Sequence, residues 1–326
     1  MNRNTKRRAT QLMIFILMLF CQKAVALPVA FTPGNIIVHN ADSSHDDLFE
    51  YTPAGVFVQQ VPVVPRMGGS DLAIDRDGRV NINNSPTLNI YSPATNSFST
   101  RTFAGWSTVG NLTYGGIAAY DHYVYAADMN NGGSDAGKQG VVRFDLDGSP
   151  TMRYATTTDP IDLNIGLDGL LYTLSPGSAF NGGGNRVDVF DPISMAFIRG
   201  FDLPEEHRGI AVDFNGDIYT AQRDNVSRVN HFSPSGVLID SIADPGVGGF
   251  ADIDINRKGD IVIASHSGTL LVTTTALDSI ISFPTRTSNF FNMASWIPAQ
   301  VPEPSAIALA AGGIAIVVGL NRSRRQ

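Results

Sequence analysis

Short runs in which apolar and polar positions alternate, bounded by Gly, Asp, Asn and Pro, recur along most of the chain and predict strands rather than helices. Five compact runs stand out: Asp71-Leu72-Ala73-Ile74, Gly116-Ile117-Ala118-Ala119, Asp162-Leu163-Asn164-Ile165, Gly209-Ile210-Ala211-Val212 and Asp252-Ile253-Asp254-Ile255. Each is followed by a tight turn and a second β-rich run, as at Gly78-Arg79-Val80-Asn81, Gly169-Leu170-Leu171-Tyr172, Gly216-Asp217-Ile218-Tyr219 and Gly259-Asp260-Ile261-Val262. Asp121-His122-Tyr123-Val124-Tyr125 fills one copy without its glycine, and Gly34-Asn35-Ile36-Ile37-Val38 opens the series. From Gly34 the steps are 44, 44 (to His122), 47, 47 and 43 residues.

Such a period dictates architecture before any local structure is considered. A third strand ends on an aromatic residue near a proline, as at Tyr51-Thr52-Pro53, Tyr91-Ser92-Pro93, Phe190-Asp191-Pro192 and Phe232-Ser233-Pro234. A fourth, such as 56–61 or 196–201, completes the unit. Four antiparallel strands per repeat make a propeller blade, so the expectation is an all-β, six-bladed β-propeller over residues 27–300. The first copy lacks its innermost strand. Residues 291–297, with Asn292-Met293-Ala294-Ser295-Trp296, are expected to supply it and close the ring.

The two ends break the pattern. Arg3, Lys6, Arg7 and Arg8 precede the apolar run 12–20 and Ala24-Val25-Ala26, which predicts a signal peptide over residues 1–26. The single cysteine, Cys21, falls inside it, so the mature chain has no disulfide to form and rests on its core. At the other end Pro302-Glu303-Pro304 precedes the uncharged stretch 305–320 and the cluster Arg322, Arg324 and Arg325. Both terminal segments are expected to be helical, the second inserting in the membrane with its arginines on the cytoplasmic side.

Composition changes this picture little; charge changes it more. Glycine is abundant (32) and charged residues are sparse (16%), as short strands and tight turns require. The whole chain carries −7, but with both ends removed residues 27–300 hold 15 basic and 29 acidic side chains. An acidic body repels phosphates and excludes a nucleic acid partner.

Two resemblances follow. Gly209-Ile210-Ala211-Val212-Asp213 continuing through Gly216-Asp217-Ile218-Tyr219 resembles NHL-type repeats, and the set, residues 31–298, is similar to six-bladed propellers of that superfamily. Residues 301–326, with their Pro-Glu-Pro motif, apolar segment and arginine cluster, resemble the PEP-CTERM sorting signal of Gram-negative bacteria. That resemblance implies signal peptidase and exosortase as processing enzymes, transient anchoring in the inner membrane, and a destination at the cell surface or in an exopolysaccharide or biofilm matrix.

Candidate chemistry concentrates in loops expected on one face, where a rigid scaffold commonly carries binding. Asp42, His45, Asp46, Asp128, Asp135, His207, Arg208, Arg223, Asp224 and His266 are the candidate binding residues. His39, His207 and His266 would make a zinc site if they converged, although their spacing is not that of a ligand set. The resemblance to gluconolactonase-like propellers implies a metal-binding Glu on the first blade's inner strand, where Asn292 to Trp296 has none. Asp75-Arg76-Asp77-Gly78 and Asp145-Leu146-Asp147-Gly148 look like calcium-loop fragments without the closing Glu, and fit hairpin turns better. No Gly-x-Ser-x-Gly or His-Glu-x-x-His run occurs. The sequence assigns no catalytic residue, cofactor or metal. It favours a non-catalytic exported propeller, with a metal-dependent lyase or lactone hydrolase as the alternative.

Overall fold

A computed structural model describes residues 30–41, 46–62, 71–84, 87–102, 115–128, 140–146, 152–155, 159–175, 184–222, 227–286 and 292–298. Both terminal segments, with the expected helices and the sorting residues Pro302, Glu303, Pro304, Arg322, Arg324 and Arg325, lie outside them. Among the described residues all regular structure is β, and no helix is long and apolar enough to cross a membrane.

The first sheet contains β1 (Ile36–Ala41), β2 (Asp46–Tyr51) and β3 (Phe57–Pro62), together with the last strand of the chain, β23 (Asn292–Trp296). The second is formed by β4 (Asp71–Ile74), β5 (Val80–Asn84), β6 (Thr87–Ser92) and β7 (Ser97–Thr102). The third contains β8 (Ile117–Tyr120), β9 (Tyr123–Asp128), β10 (Gly140–Asp145) and β11 (Met152–Ala155). A larger sheet follows, of β12 (Asp162–Ile165), β13 (Leu171–Ser175), β14 (Gly184–Phe190), β15 (Phe197–Val212), β16 (Ile218–Gln222), β17 (Arg228–Phe232) and β18 (Leu238–Ala243). The last is formed by β19 (Phe250–Ile255), β20 (Asp260–Ser265), β21 (Thr269–Thr274) and β22 (Ile281–Pro284).

Every neighbouring pair is antiparallel, and the strand order within each sheet follows the chain except at β23. There the chain's end meets its beginning, with Ile36 opposite Trp296 and Val38 opposite Ala294. Gly34 and Asn35 extend the seam by exchanging backbone hydrogen bonds with Ile297. The innermost strands β4, β8, β12, the second half of β15, β19 and β23 touch in that cyclic order, and β23 touches β4. The result is a propeller arrangement.

The sequence led us to expect separate four-stranded sheets throughout. Four are four-stranded, but the fourth and fifth repeats are fused into one seven-stranded sheet. The cause is β15, sixteen residues without a break, whose first half pairs with β14 and whose second half pairs with β16. Its connecting stretch Leu203-Pro204-Glu205-Glu206-His207 continues as extended backbone where a loop was expected.

Apolar side chains fill the spaces between neighbouring sheets. Ile37 and Leu48 of the first sheet pack with Leu72, Ile82 and Tyr91 of the second. The aromatic residues near the ends of four of the third strands are anchors: Tyr51, Tyr91, Phe190 and Phe232 are all buried. Fully burying such a side chain contributes about 1.5–3 kcal/mol. The turn glycines Gly34, Gly78, Gly169, Gly216 and Gly259 all take positive φ, and in the copy that lacks one, Asp121 adopts φ 54° instead.

Candidate axial site

Each inner strand presents its side chains to the axis, and together they line a cavity of about 390 Å³. The first aligned position along these strands reads Asp71, Gly116, Asp162, Gly209, Asp252 and Met293, so a carboxylate stands on every second strand. Each of the three reaches sideways in the same way. Asp71 accepts the N–H of Leu72 on Oδ1 (2.7 Å) and that of Ile117 on Oδ2 (2.9 Å). Asp162 does so with Leu163 (2.8 Å) and Ile210 (2.7 Å), and Asp252 with Ile253 (2.7 Å) and Ala294 (3.0 Å). Inner strands carry no partner strand on the axial side, so these carboxylates satisfy N–H groups that a sheet would otherwise pair.

Glycine between the aspartates is a steric requirement. A Cβ on Gly116 would lie 2.3 Å from the backbone N of Leu163 and 2.4 Å from Cα of Asp162. On Gly209 it would meet the backbone N of Ile253 at 3.0 Å. The aligned position two residues further on holds Ala73, Ala118, Asn164, Ala211, Asp254 and Ser295. Asp254 accepts from Ser295 Oγ (2.8 Å) and from the Trp296 N–H (2.9 Å). Asn164 lines the cavity, and its buried Oδ1 has no hydrogen-bond partner.

Burial raises all four carboxyls, and repulsion from a neighbouring aspartate adds to the rise in Asp71, Asp162 and Asp252. Burial pushes Asp252 up to about 7, with Asp254 adding to the rise and the Ala294 N–H opposing it. Asp71 and Asp162 rise well above the usual carboxylate range, first by burial and then by the charge of Asp252. Asp254 is raised by burial against the hydrogen bonds it accepts. Arg76 and Arg257 are the cations among the described residues that line the cavity, each in the turn that follows its inner strand, β4 and β19. Among the described residues no group of His, Cys, Asp or Glu is placed to hold a metal ion, this ring included.

The residues singled out in the sequence are distributed differently. Asp42, His45, Asp135, Arg223 and Asp224 lie outside the described residues; of Asp46 only the backbone is described, at the start of β2 opposite Ala41. Asp128 and His207 were expected on a solvated rim but are fully buried. Asp128 ends β9 paired with Arg153, and His207 lies within β15, its Nδ1 2.9 Å from Thr220 Oγ1 and its ring against Phe232. Burial lowers His207 to about 3. Arg208 is partly buried beside it, and His266 sits in the turn after β20, its backbone N–H donating to Gly249. His39 is fully buried in β1, neither ring nitrogen has a partner, and burial lowers it to about 4. The three candidate zinc histidines do not assemble. Asp75 accepts the N–H groups of Asp77 and Arg79, as a hairpin turn requires.

No protein-family profile and no curated protein sequence matches the chain. Solved structures do. A streptogramin B lyase superposes with a TM-score of 0.53 at 12% identity, covering 82% of this chain and 87% of that one. Virginiamycin B lyase from Staphylococcus aureus, as its selenomethionine form, gives a TM-score of 0.52 at 13% identity, covering 77% and 85%. At this identity the likeness speaks for the propeller fold.

Proposed function

We propose that this chain is an exported, surface- or matrix-associated binding protein: a six-bladed, NHL-type propeller that holds a glycan, peptide or other matrix component without transforming it. Six inner strands in cyclic contact support the blade number, the seven-stranded sheet counting as two repeats that share β15. The signal segment 1–26 and the PEP-CTERM-like tail 301–326 support export and surface sorting, with signal peptidase and exosortase as processing enzymes.

The observation that carries the reading is the wall of the axial cavity. Its described residues include no His, Cys, Lys or Glu, and each ring aspartate has both oxygens committed to backbone N–H groups. Acid–base or nucleophilic chemistry needs a group free to meet the substrate. Asn164, by contrast, offers an amide with no internal hydrogen bond, suited to holding a polar ligand in a recess. We therefore place the binding site at the axis rather than on the loop rim.

Isothermal titration of the full chain with matrix oligosaccharides and peptides tests this. Asn164→Leu, which breaks no internal hydrogen bond, is expected to weaken binding at least tenfold while leaving the melting temperature unchanged. Binding that survives Asn164→Leu but is lost on substituting Arg208 and His266 returns the site to the rim. The likeness to two lyases favours a second reading, catalysis at the same cavity. Incubation with streptogramin B and chromatography of the products separates the two, since turnover would replace the binding reading.

A further inference from the structure

The axial cavity and the departure of the C-terminal tail share one end of the propeller. Asp252 of β19 accepts the Ala294 N–H and Asp254 accepts the Trp296 N–H, so the two inner strands stay in register and run the same way. β23 therefore ends beside the turn that follows β19. Pro298, the last described residue, is exposed there and lines the cavity with Arg257 of that turn. Arg76 and Leu167, from the corresponding turns after β4 and β12, line it as well. The chain thus leaves the fold at the axis, on the face formed by the turns that follow the inner strands.

The length of chain beyond that point decides which face can approach a membrane. From Pro298 to Ser305, where the uncharged stretch 305–320 begins, the chain spans at most about 25 Å. To bring the opposite face to the membrane, this tether must run outward past the other three strands of a blade, about 14 Å at strand spacing. It must then follow the side of the blade for the length of a six-residue strand such as β20, about 20 Å more. The tether is too short for that path.

We infer, resting on the sorting role proposed above, that the turn face is the surface this propeller presents to the lipid bilayer while its tail is inserted, with Phe214, Arg257 and Lys258 as its contacts. Phe214 holds in the turn after β15 the position that Arg257 holds in the turn after β19, and its ring is 54% exposed. Arg257 and Lys258 are exposed beside it, and neither is paired with a carboxylate among the described residues. An exposed ring next to two cations suits the boundary between acyl chains and phosphate headgroups. Acids of the same turns are engaged within the protein: Asp121 pairs with Arg76 (2.8 Å), Asp77 pairs with Arg79 (2.8 Å), and Asp168 accepts from the Tyr172 hydroxyl (2.7 Å). The cavity mouth at this face is then turned to the bilayer, away from matrix components, until the tail is cut.

The test uses the full chain with Cys21→Ser, inserted through its tail in vesicles of phosphatidylethanolamine and phosphatidylglycerol that carry a nitroxide on their headgroups. A fluorophore is attached at one exposed site at a time: Asn215→Cys on the turn face, Ser267→Cys in the turn after β20 at the opposite face, or Ile239→Cys on the outer strand β18. Quenching is expected to be at least threefold stronger at Asn215→Cys than at either other site. Adding Phe214→Ser with Lys258→Ser is expected to lower it at least twofold, while the protein still floats with the vesicles. Equal or stronger quenching at Ser267→Cys or Ile239→Cys would overturn the orientation, and quenching unchanged by the added pair would overturn the contacts. Protein that does not float with the vesicles at all would overturn the sorting role itself, a result distinct from floating protein quenched at the wrong site.

Discussion

His39 shows how a single residue carries a cost the rest of the fold must absorb. Its imidazole is fully buried with neither nitrogen partnered, and burial lowers it from 6.5 to about 4. A base whose folded value is depressed leaves the chain most stable above its unfolded value, and that stability falls as pH drops from 6.5 through 4. At pH 5 the single site accounts for about 2 kcal/mol. Accordingly His39→Leu should benefit the protein by about 2 kcal/mol more at pH 5 than at pH 8, measured by urea unfolding at both values. An equal effect at both would mean that the imidazole is not held neutral. No sequence pattern announced this residue as buried: it was read as the start of a polar loop and so counted among metal candidates, whereas β1 continues through it to Ala41.

At the scale of the element, the inner strands other than the one within β15 were legible to within about two residues. Asp71–Ile74, Asp162–Ile165 and Asn292–Trp296 are strands with the expected bounds, because compact apolar runs bounded by Asp and Gly admit few alternatives. The alternation of Asp and Gly at their first position was in plain view too, but its meaning depends on which strand lies beside which. Gly116 tests that meaning. With its added Cβ within 2.4 Å of the neighbouring backbone, Gly116→Ala must push β8 and β12 apart. The expected loss is about 1–3 kcal/mol of stability by urea denaturation. A neutral effect would mean that the inner strands sit further apart than described. The break expected between the fourth and fifth repeats did not occur, since the polar stretch around Glu205 reads as a loop by composition yet pairs as part of β15. Composition reports solvent preference, whereas pairing is decided by the neighbouring strands.

For the whole molecule, periodicity carried further than chemistry. A repeat interval near 45 residues fixes how many strands each unit contributes and how their cores stack, because each unit can bury its apolar face only against the next. The candidate site was far less legible. Loop residues rich in Asp, His and Arg drew attention to a rim, yet Asp128 and His207 are buried, and the axial cavity draws its wall from six segments far apart in the chain. Spacing along the chain does not register a convergence of that kind.

The seam between chain ends is the central claim, and it has a direct chemical test. The N–H groups of Ala294 and Trp296 donate to Asp252 and Asp254 rather than to β1, so Val38 and Ala294 form a non-hydrogen-bonded antiparallel pair. Such pairs bring Cα atoms to about 4.5 Å, within disulfide range. With Cys21 replaced by Ser, the variant Val38→Cys with Ala294→Cys is predicted to oxidise in the folded state to one intramolecular disulfide, seen by peptide mass spectrometry. Two thiols that remain free in folded, oxidised protein would contradict the ring.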